Sequence, residues 1–459
     1  MTSTEPPPPS RHDPYAAIRV PDYRKFVAGF VFSSTGLQML GATVGYEVYE
    51  RTKDPMALGL IGLARALPVI LLSLPGGHAA DVYSRKWVLA ISQAGLGLTA
   101  ALLALASALH APIFVYYILL ALMGCGRAFG GPARGSLLPM IVPKDVFHNA
   151  VTWNSSVFQF SATVGPIFAG ALMAAFKHDA TILFWPVYLV TAVGCLLYAI
   201  SVSFVKPVGQ QMAGGKFTVE SMLAGMGHVW REKTVLGAIS LDLFAVLLGG
   251  ATALLPIYAR EIIHQPVVGL QFIDNILADP EIRYGILRAS PYIGAMLMAL
   301  VLAHRPPMKN AGSALLWSVA GFGLFTIGFG LSTSFLLSVT FLAALGAVDN
   351  ISVVIRHVLV QVRTPDHLRG RVGAVNTVFI ECSNELGAFE SGAVAKAYNS
   401  AMGLAGSVAG PIFSVVSGGV GTIAVVALIA WWLPDLRRLR ELREDPAETT
   451  TTTTTTTPK

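Results

Sequence analysis

Twelve stretches of this chain are apolar over about the 20 residues that a helix needs to cross a bilayer. They fall at roughly 25–49, 57–80, 87–109, 113–140, 147–176, 180–205, 234–260, 285–303, 311–331, 334–362, 372–396 and 407–433. Backbone groups inside lipid find no water, so each stretch must close its own hydrogen bonds as a helix. Only 13% of the residues are charged, against about 25% in an average soluble chain. The fold class expected is therefore an all-α membrane protein with twelve transmembrane helices. The organisation expected is a disordered tail over 1–22, a six-helix bundle over 23–205 and a linker over 206–233 that holds an amphipathic surface helix. A second six-helix bundle over 234–435 and a basic, Thr-rich tail over 436–459 follow.

Charge sets the orientation. Of the 32 Lys and Arg, 21 fall on the side of the two termini and six on the opposite side, leaving five inside spans. Basic residues gather on the cytoplasmic side of a membrane protein, so both termini are expected there. The same bias explains the net charge of +6 without nucleic acid. The proline-rich opening "MTSTEPPPPSRHDPYAAIRVPDYRK" has no apolar core before a cleavage site and reads as a tail leading into an uncleaved first span. Cys125, Cys195 and Cys382 lie in spans at unrelated spacings, which fits packing rather than disulfides or metal.

The chain repeats itself. Residues 134–170 align without a gap on 356–392, matching Arg134 with Arg356, Pro143 with Pro365, Asn154 with Asn376, Ser161 with Ser383, Gly165 with Gly387 and Gly170 with Gly392. Independently, "GLARALP" at 62–68 matches "GILRASP" at 285–291, and "GATVGYEVYER" at 41–51 matches "GATALLPIYAR" at 250–260. Spans 1, 2, 4 and 5 thus correspond to spans 7, 8, 10 and 11. Two like-oriented six-helix bundles follow, with a binding site expected near the bilayer midplane where they meet.

With that architecture the chain resembles the major facilitator superfamily over about 20–435. "GGHAADVYSRK" is similar to the family's loop signature between spans 2 and 3, with Gly77, Asp81, Arg85 and Lys86 in place and Val82 where an arginine is usual. "GPIFAG" (Gly165, Pro166, Gly170) is similar to the tail of the antiporter motif, while Thr152 and Ser161 stand at its upstream glycines. "GCGRAFGGPARGSLLP" and "TPDHLRGRVGAVN" look like the enterobactin-exporter branch of drug and siderophore effluxers. The resemblance implies a cytoplasmic latch, in which Asp81 rests near the N-terminus of span 11 and near Arg134, with Gly77 and Arg85 shaping the loop. It also implies that spans 1, 4, 7 and 10 line a central cavity.

Ionisable residues deep in a span are functional candidates by default. Arg127 lies half-way along span 4 and its repeat partner is Asp349, so a cation and an anion are expected to face the cavity from opposite halves. In span 11, Glu381 and Glu385 share one helix face with Asn384 beside them, while Glu390 points about 180° away at 100° per residue. Glu381, about 14 Å into the span at 1.5 Å per residue, is suited to carry a proton, because desolvation disfavours a charged carboxylate. Glu385 is the second candidate and Asp349 the third, since a nearby Arg127 favours its charged form. Arg127, Asn384 and Asp242 are the substrate-cavity candidates. Arg65, Arg288 and Glu390 are the outer-gate candidates, with an Arg65–Glu385 pair that opens on protonation. Glu47, near the outer end of span 1, is assigned equally to the membrane edge or the cavity.

The function expected is secondary active export of a small amphipathic molecule, siderophore or drug-like, in exchange for protons. A lysophospholipid flippase, a metal exporter of the same fold and a transport-inactive scaffold or sensor are the alternatives. A membrane enzyme would need a nucleophile beside a base on adjoining faces, and no such set stands out. No metal site or cofactor is expected. The partners expected are the cargo, protons and lipid, with no nucleic acid, for a monomer in the bacterial plasma membrane.

Overall fold

The computed structural model describes residues 13–178, 181–207, 226–227, 229–263, 271–305, 310–404 and 406–439. Twelve long helices run through them: α1 (Pro21–Thr52), α2 (Pro55–Val82), α3 (Arg85–Ala108), α4 (Ile113–Ile141), α5 (Phe147–Ala175), α6 (Trp185–Ser203), α7 (Lys233–Leu248), α8 (Pro280–Ala303), α9 (Ala311–Leu331), α10 (Phe335–Arg363), α11 (Asp366–Ala401) and α12 (Ala409–Trp432). Eleven spans among the described residues are long and apolar enough to cross a membrane. The exception is α11, which is long enough but polar, with three glutamates and two asparagines between Asn376 and Glu390. Its polarity has a structural reason: it packs against α2, α7 and α12, so much of its surface faces protein.

The pairings repeat. In the first half α1 packs on α5 and α6, α2 on α4, and α3 on α4 and α6; in the second, α7 packs on α11 and α12, α8 on α10, and α9 on α10 and α12. Each contact has its counterpart six helices on. The halves meet along two seams, α2 against α11 and α5 against α8. Lipid supplies no hydrophobic drive between helices, so such seams rely on small residues that let backbones approach.

Both described termini lie at one end, called here the basic end; the opposite end is the far end. Five tryptophans, Trp87, Trp230, Trp317, Trp431 and Trp432, are exposed at the basic end, as expected of a membrane–water interface.

Three expectations change. The span expected over 234–260 is broken: α7 ends at Leu248, and the chain continues through a tight 3-10 turn (Ala251–Leu254), a helical turn (Leu255–Ile257) and a wide π turn (Tyr258–Ile262). Gly249 and Gly250 stand at the break, where a Cβ would meet Phe322 and the Gly387 carbonyl, and Pro256, at the start of the following helical turn, has no N–H to donate. The tail expected to be disordered to residue 22 is docked from residue 13. Ala17 N donates to Asn149 Oδ1 (3.0 Å), and Trp153 Nε1 and Asn149 Nδ2 donate to the Pro14 carbonyl (3.0 and 2.9 Å). Only 1–12 of that tail lies outside the described residues, together with most of the linker and its amphipathic helix, and everything past 439. Finally, α11 runs from Asp366 to Ala401 rather than 372–396, so its charges sit deeper than the span limits implied.

Candidate functional site

Glycines shared by the repeat build both seams. At α5/α8 a Cβ on Gly170 would lie 2.5 Å from the Glu281 carbonyl and 3.3 Å from Gly285 Cα, and one on Gly285 would lie 2.5 Å from the Pro166 carbonyl. At α2/α11 a Cβ on Gly392 would lie 2.6 Å from the Pro55 carbonyl and 3.0 Å from Gly59 Cα, and one on Gly62 would collide with the Glu385 carbonyl. No other residue fits these crossings. The "GPIFAG" segment and the G-x-x-R-A-x-P motifs therefore mark where the halves touch, and Gly165 packs on α1 beside Gln38.

The far end is closed by ion pairs and hydrogen bonds across the halves. Lys396 Nζ meets Asp54 Oδ2 at 2.6 Å, and Lys177 Nζ meets Asp279 and the buried Glu281 at 3.5 and 3.4 Å. Arg260 pairs with Glu50, and Tyr49 donates to Glu261. Beneath them Tyr46 donates to Glu281 (3.3 Å) and Tyr284 to the Ala42 carbonyl (2.9 Å), their rings 5.2 Å apart. Sequence reasoning missed this network. Its members looked like ordinary span-end charges, and only the tertiary fold brings them face to face.

Toward the basic end the α5 and α8 helices carry exposed apolar side chains. Phe147, Val151, Phe158 and Phe160 of α5 and Met296, Leu297, Leu300 and Val301 of α8 are exposed. Near the middle of the molecule, charged side chains of the two halves keep part of their surface open. There Arg127 Nη2 lies 2.9 Å from Glu381 Oε2 and Arg127 Nη1 lies 3.9 Å from Glu385 Oε1. Arg127 and Glu381 keep 41% and 42% of their side-chain surface although both stand mid-helix, whereas Glu385 keeps 18%. One cation from the first half thus faces two carboxylates from the second in an accessible, membrane-deep place. Such a constellation can exchange a proton for an ion pair, because a protonated carboxyl no longer holds the guanidinium electrostatically.

The expected Arg127–Asp349 confrontation is absent. Arg127 reaches α11 instead, while Asp349 lines a crevice inside the second half with Asp242, Ser318, Phe322 and Ser352. The internal repeat gives Asp349 and Arg127 equivalent places, but equivalence by repeat does not imply contact. Asp242, expected in the cavity, is buried and pairs with the buried Arg356. Asn384 is exposed and donates to the Ile380 carbonyl of its own helix (2.8 Å). Glu390 is half-buried with Oε2 unpartnered; it sits six residues deeper than Lys396, about 9 Å at the helical rise. Glu47 belongs to neither place considered for it. It is buried, accepting from Tyr116 (2.6 Å), Tyr188 (2.7 Å) and Ser107 (2.8 Å), which ties α1 to α4, α6 and α3.

Arg65 and Arg288 stand mid-molecule rather than in the far-end closure, and no direct ion pair joins Arg65 to Glu385 among the described residues. Both guanidinium groups approach Gly41 of α1. Of the latch, the Asp81 side chain lies outside the described residues and Gly77 is half-buried. Arg85 donates to the Ala80 and Ser136 carbonyls (3.3 Å each), and Arg134 lies over the Phe30 ring at 4.7 Å. Among the described residues no group of His, Cys, Asp and Glu is placed to hold a metal.

Comparison with known proteins fits this geometry. The chain is 25% identical over 417 residues to the enterobactin exporter EntS of Citrobacter koseri, covering 90% of this chain and 92% of that protein. It is 29% identical over 175 residues to the staphyloferrin A transporter of Staphylococcus aureus, a match that spans 36% of this chain and 44% of that protein. In fold it is similar to a bacterial homologue of the human lysosomal transporter Spinster, solved inward-facing and occupied (TM-score 0.70, 14% identity, 95% of this chain and 100% of that chain). It is also similar to a D-xylose–proton symporter (TM-score 0.65, 13% identity, 92% and 99%). The model of the transmembrane secretion effector family matches residues 12–428. The chain belongs to that family, and with it to the transporters of the major facilitator superfamily.

Proposed function

We propose that the protein exports a small amphipathic molecule, siderophore or drug-like, from the cytoplasm of a bacterium by proton antiport through alternating access. The basic end faces the cytoplasm in this reading, as the charge bias demands, and the protein works as a monomer in the plasma membrane. The observation that carries it is the Arg127–Glu381–Glu385 constellation, part-exposed midway along its helices beneath the ion-paired far end. Relatives named for enterobactin export and staphyloferrin A transport support the siderophore class.

The proposed cycle uses these groups in turn. Cargo enters the cavity from the basic end while Glu381 holds Arg127. The halves then rock about the seam glycines, and the ion pairs at Glu50, Asp54 and Lys177 part. Protons from the far side neutralise Glu381 and Glu385, cargo leaves, and the neutral form returns to release protons inside. The test is transport by the purified protein in proteoliposomes under an imposed pH gradient, screening catecholates, lipophilic cations and lysolipids. Cargo movement that needs the gradient and stops with a protonophore supports the reading. Movement indifferent to the protonophore contradicts proton antiport, and selective lysolipid movement contradicts the siderophore or drug class.

A further inference from the structure

Arg65 and Arg288 are the arginines of the two G-x-x-R-A-x-P motifs, one from each half. They converge on a single place. A Cβ built on Gly41 of α1 would lie 3.8 Å from Arg288 Nη2 and 3.9 Å from Arg65 Nη2, with no other atom within 4 Å. The three residues sit about 12–17 Å from the far ends of α8, α2 and α1 at 1.5 Å per residue, near the middle of the membrane. Above them the buried Tyr46 and Tyr284 form a roof, with Tyr284 bonded to the Ala42 carbonyl one residue from Gly41. The Arg127–Glu381–Glu385 constellation lies in electrostatic range of Arg65.

The charges at this apex do not balance. Three arginines, Arg65, Arg127 and Arg288, are in range of Glu385, with Glu381 the one further carboxylate beside it among the described residues. Arg127 makes both of the direct ion pairs. Among the described residues Arg65 and Arg288 have no carboxylate within the 4.0 Å of an ion pair; Arg288 interacts with the Tyr284 hydroxyl. An unneutralised charge at this depth is costly to maintain. Guanidinium groups are the side chains best matched to planar oxyanions, which they grip through paired N–H donors. The absence of a side chain at Gly41 leaves room there for a methyl-sized group in ordinary contact with both guanidinium groups.

We propose that Arg65, Arg288 and the gap at Gly41 form an anion subsite at the apex of the cavity, which takes the carboxylate, phenolate or phosphate of the cargo. The inference rests on reading the cavity as the cargo site, and it narrows the cargo to molecules that carry an anionic group. It assigns to Arg65 and Arg288 a binding role in place of a gating one. Arg127 and the two glutamates remain for proton exchange. Cargo and proton thus use neighbouring but separate groups.

The test is binding to the full-length protein in nanodiscs, measured by calorimetry. Salicylate serves as the anion probe, methyl salicylate as its neutral counterpart, tetraphenylphosphonium as a cation, and citrate and lysophosphatidate as competitors. Salicylate should bind and its ester should not. Arg65→Gln and Arg288→Gln should each weaken salicylate about tenfold or more, the usual size of one charged hydrogen bond, with partial recovery in Arg65→Lys and Arg288→Lys. Gly41→Leu fills the gap without touching a charge and should also abolish binding, which covers the case of an arginine variant that fails to give a monodisperse protein. Competition by citrate assigns the subsite to a soluble carboxylate, and competition by lysophosphatidate alone assigns it to a lipid headgroup. Unchanged salicylate affinity in both glutamine variants, or equal binding of the ester or of tetraphenylphosphonium, overturns the proposal. Failure of the two readings is distinguishable: gradient-driven transport that ignores Arg65 and Arg288 sinks only the anion subsite, whereas arginine-dependent binding without gradient-driven transport sinks only proton antiport.

Discussion

At the α5/α8 seam, Gln159 stands where the α2/α11 seam has Glu381, and Thr163 stands where it has Glu385, at the same repeat offset that pairs Gly165 with Gly387. Gln159 Nε2 donates to the Tyr292 carbonyl across the seam (2.8 Å), and Thr163 Oγ1 donates to the Gln159 carbonyl (3.0 Å). Those groups are neutral. Their counterparts on α11 are charged, and they turn to Arg127 in the cavity. Backbone and glycine packing are shared by the two seams, while the carboxylates that face Arg127 are confined to one. In the proposed cycle the duplication supplies a symmetric hinge, and the asymmetry of a few side chains sets where protons enter.

The sharpest way to break this comparison is to make the seams chemically alike. Replacing both Glu381 and Glu385 with Gln should lower gradient-driven export by about two orders of magnitude, the lower range for a positioned proton carrier. Gln159→Glu in that background should not restore it, because Arg127 is not opposite Gln159. Initial rates in proteoliposomes decide the matter, and rescue by Gln159→Glu would show that the seams are interchangeable.

Next in size are the crossings that both seams share. Gly392→Val and Gly170→Val place branched side chains against the Pro55 and Glu281 carbonyls, and overpacking of this kind costs about 1–3 kcal/mol. Thermal unfolding in detergent should show similar losses for the two variants. A loss at only one would mean that one seam is loosely packed.

Gln159→Leu removes a hydrogen bond worth about 0.5–1.5 kcal/mol, so it should lower stability slightly while gradient dependence stays intact. Lys396→Ala should do least. The lysine is half-exposed in its pair with Asp54, and exposed ion pairs contribute about 0–1 kcal/mol. A double-mutant cycle with Asp54→Asn, read as transport rate against salt concentration, should give a coupling that fades as salt rises.

Much of this was legible in the chain. Hydropathy marks twelve spans because lipid forces helices. The repeat is visible because Gly170, Gly392, Gly62 and Gly285 occupy crossings that tolerate no side chain, so their identity records the geometry. Glu381 and Glu385 stood out as charges in an apolar run. Arg127 stood out as well, but not as their partner, since it lies on a helix of the other half and repeat symmetry pointed to Asp349 instead. The break after Leu248 was hidden by unbroken hydropathy across Gly249 and Gly250. The far-end network was hidden for a different reason: Glu50, Asp54, Lys177, Arg260 and Lys396 are placed as any span-end charges are, and only packing of the halves makes them partners. Arg65 and Arg288 were singled out as charges, but their convergence on Gly41 needs three helices from two halves.

The central claim is that the carboxylates of α11 carry the coupling proton while the seams only hinge. The direct measurement compares two activities of the Glu381→Gln, Glu385→Gln double variant in proteoliposomes: exchange of labelled for unlabelled cargo at equal pH, and net export driven by a pH gradient. The account predicts that exchange persists while gradient-driven export is lost. Gradient-driven export at the unmodified protein's rate would contradict it.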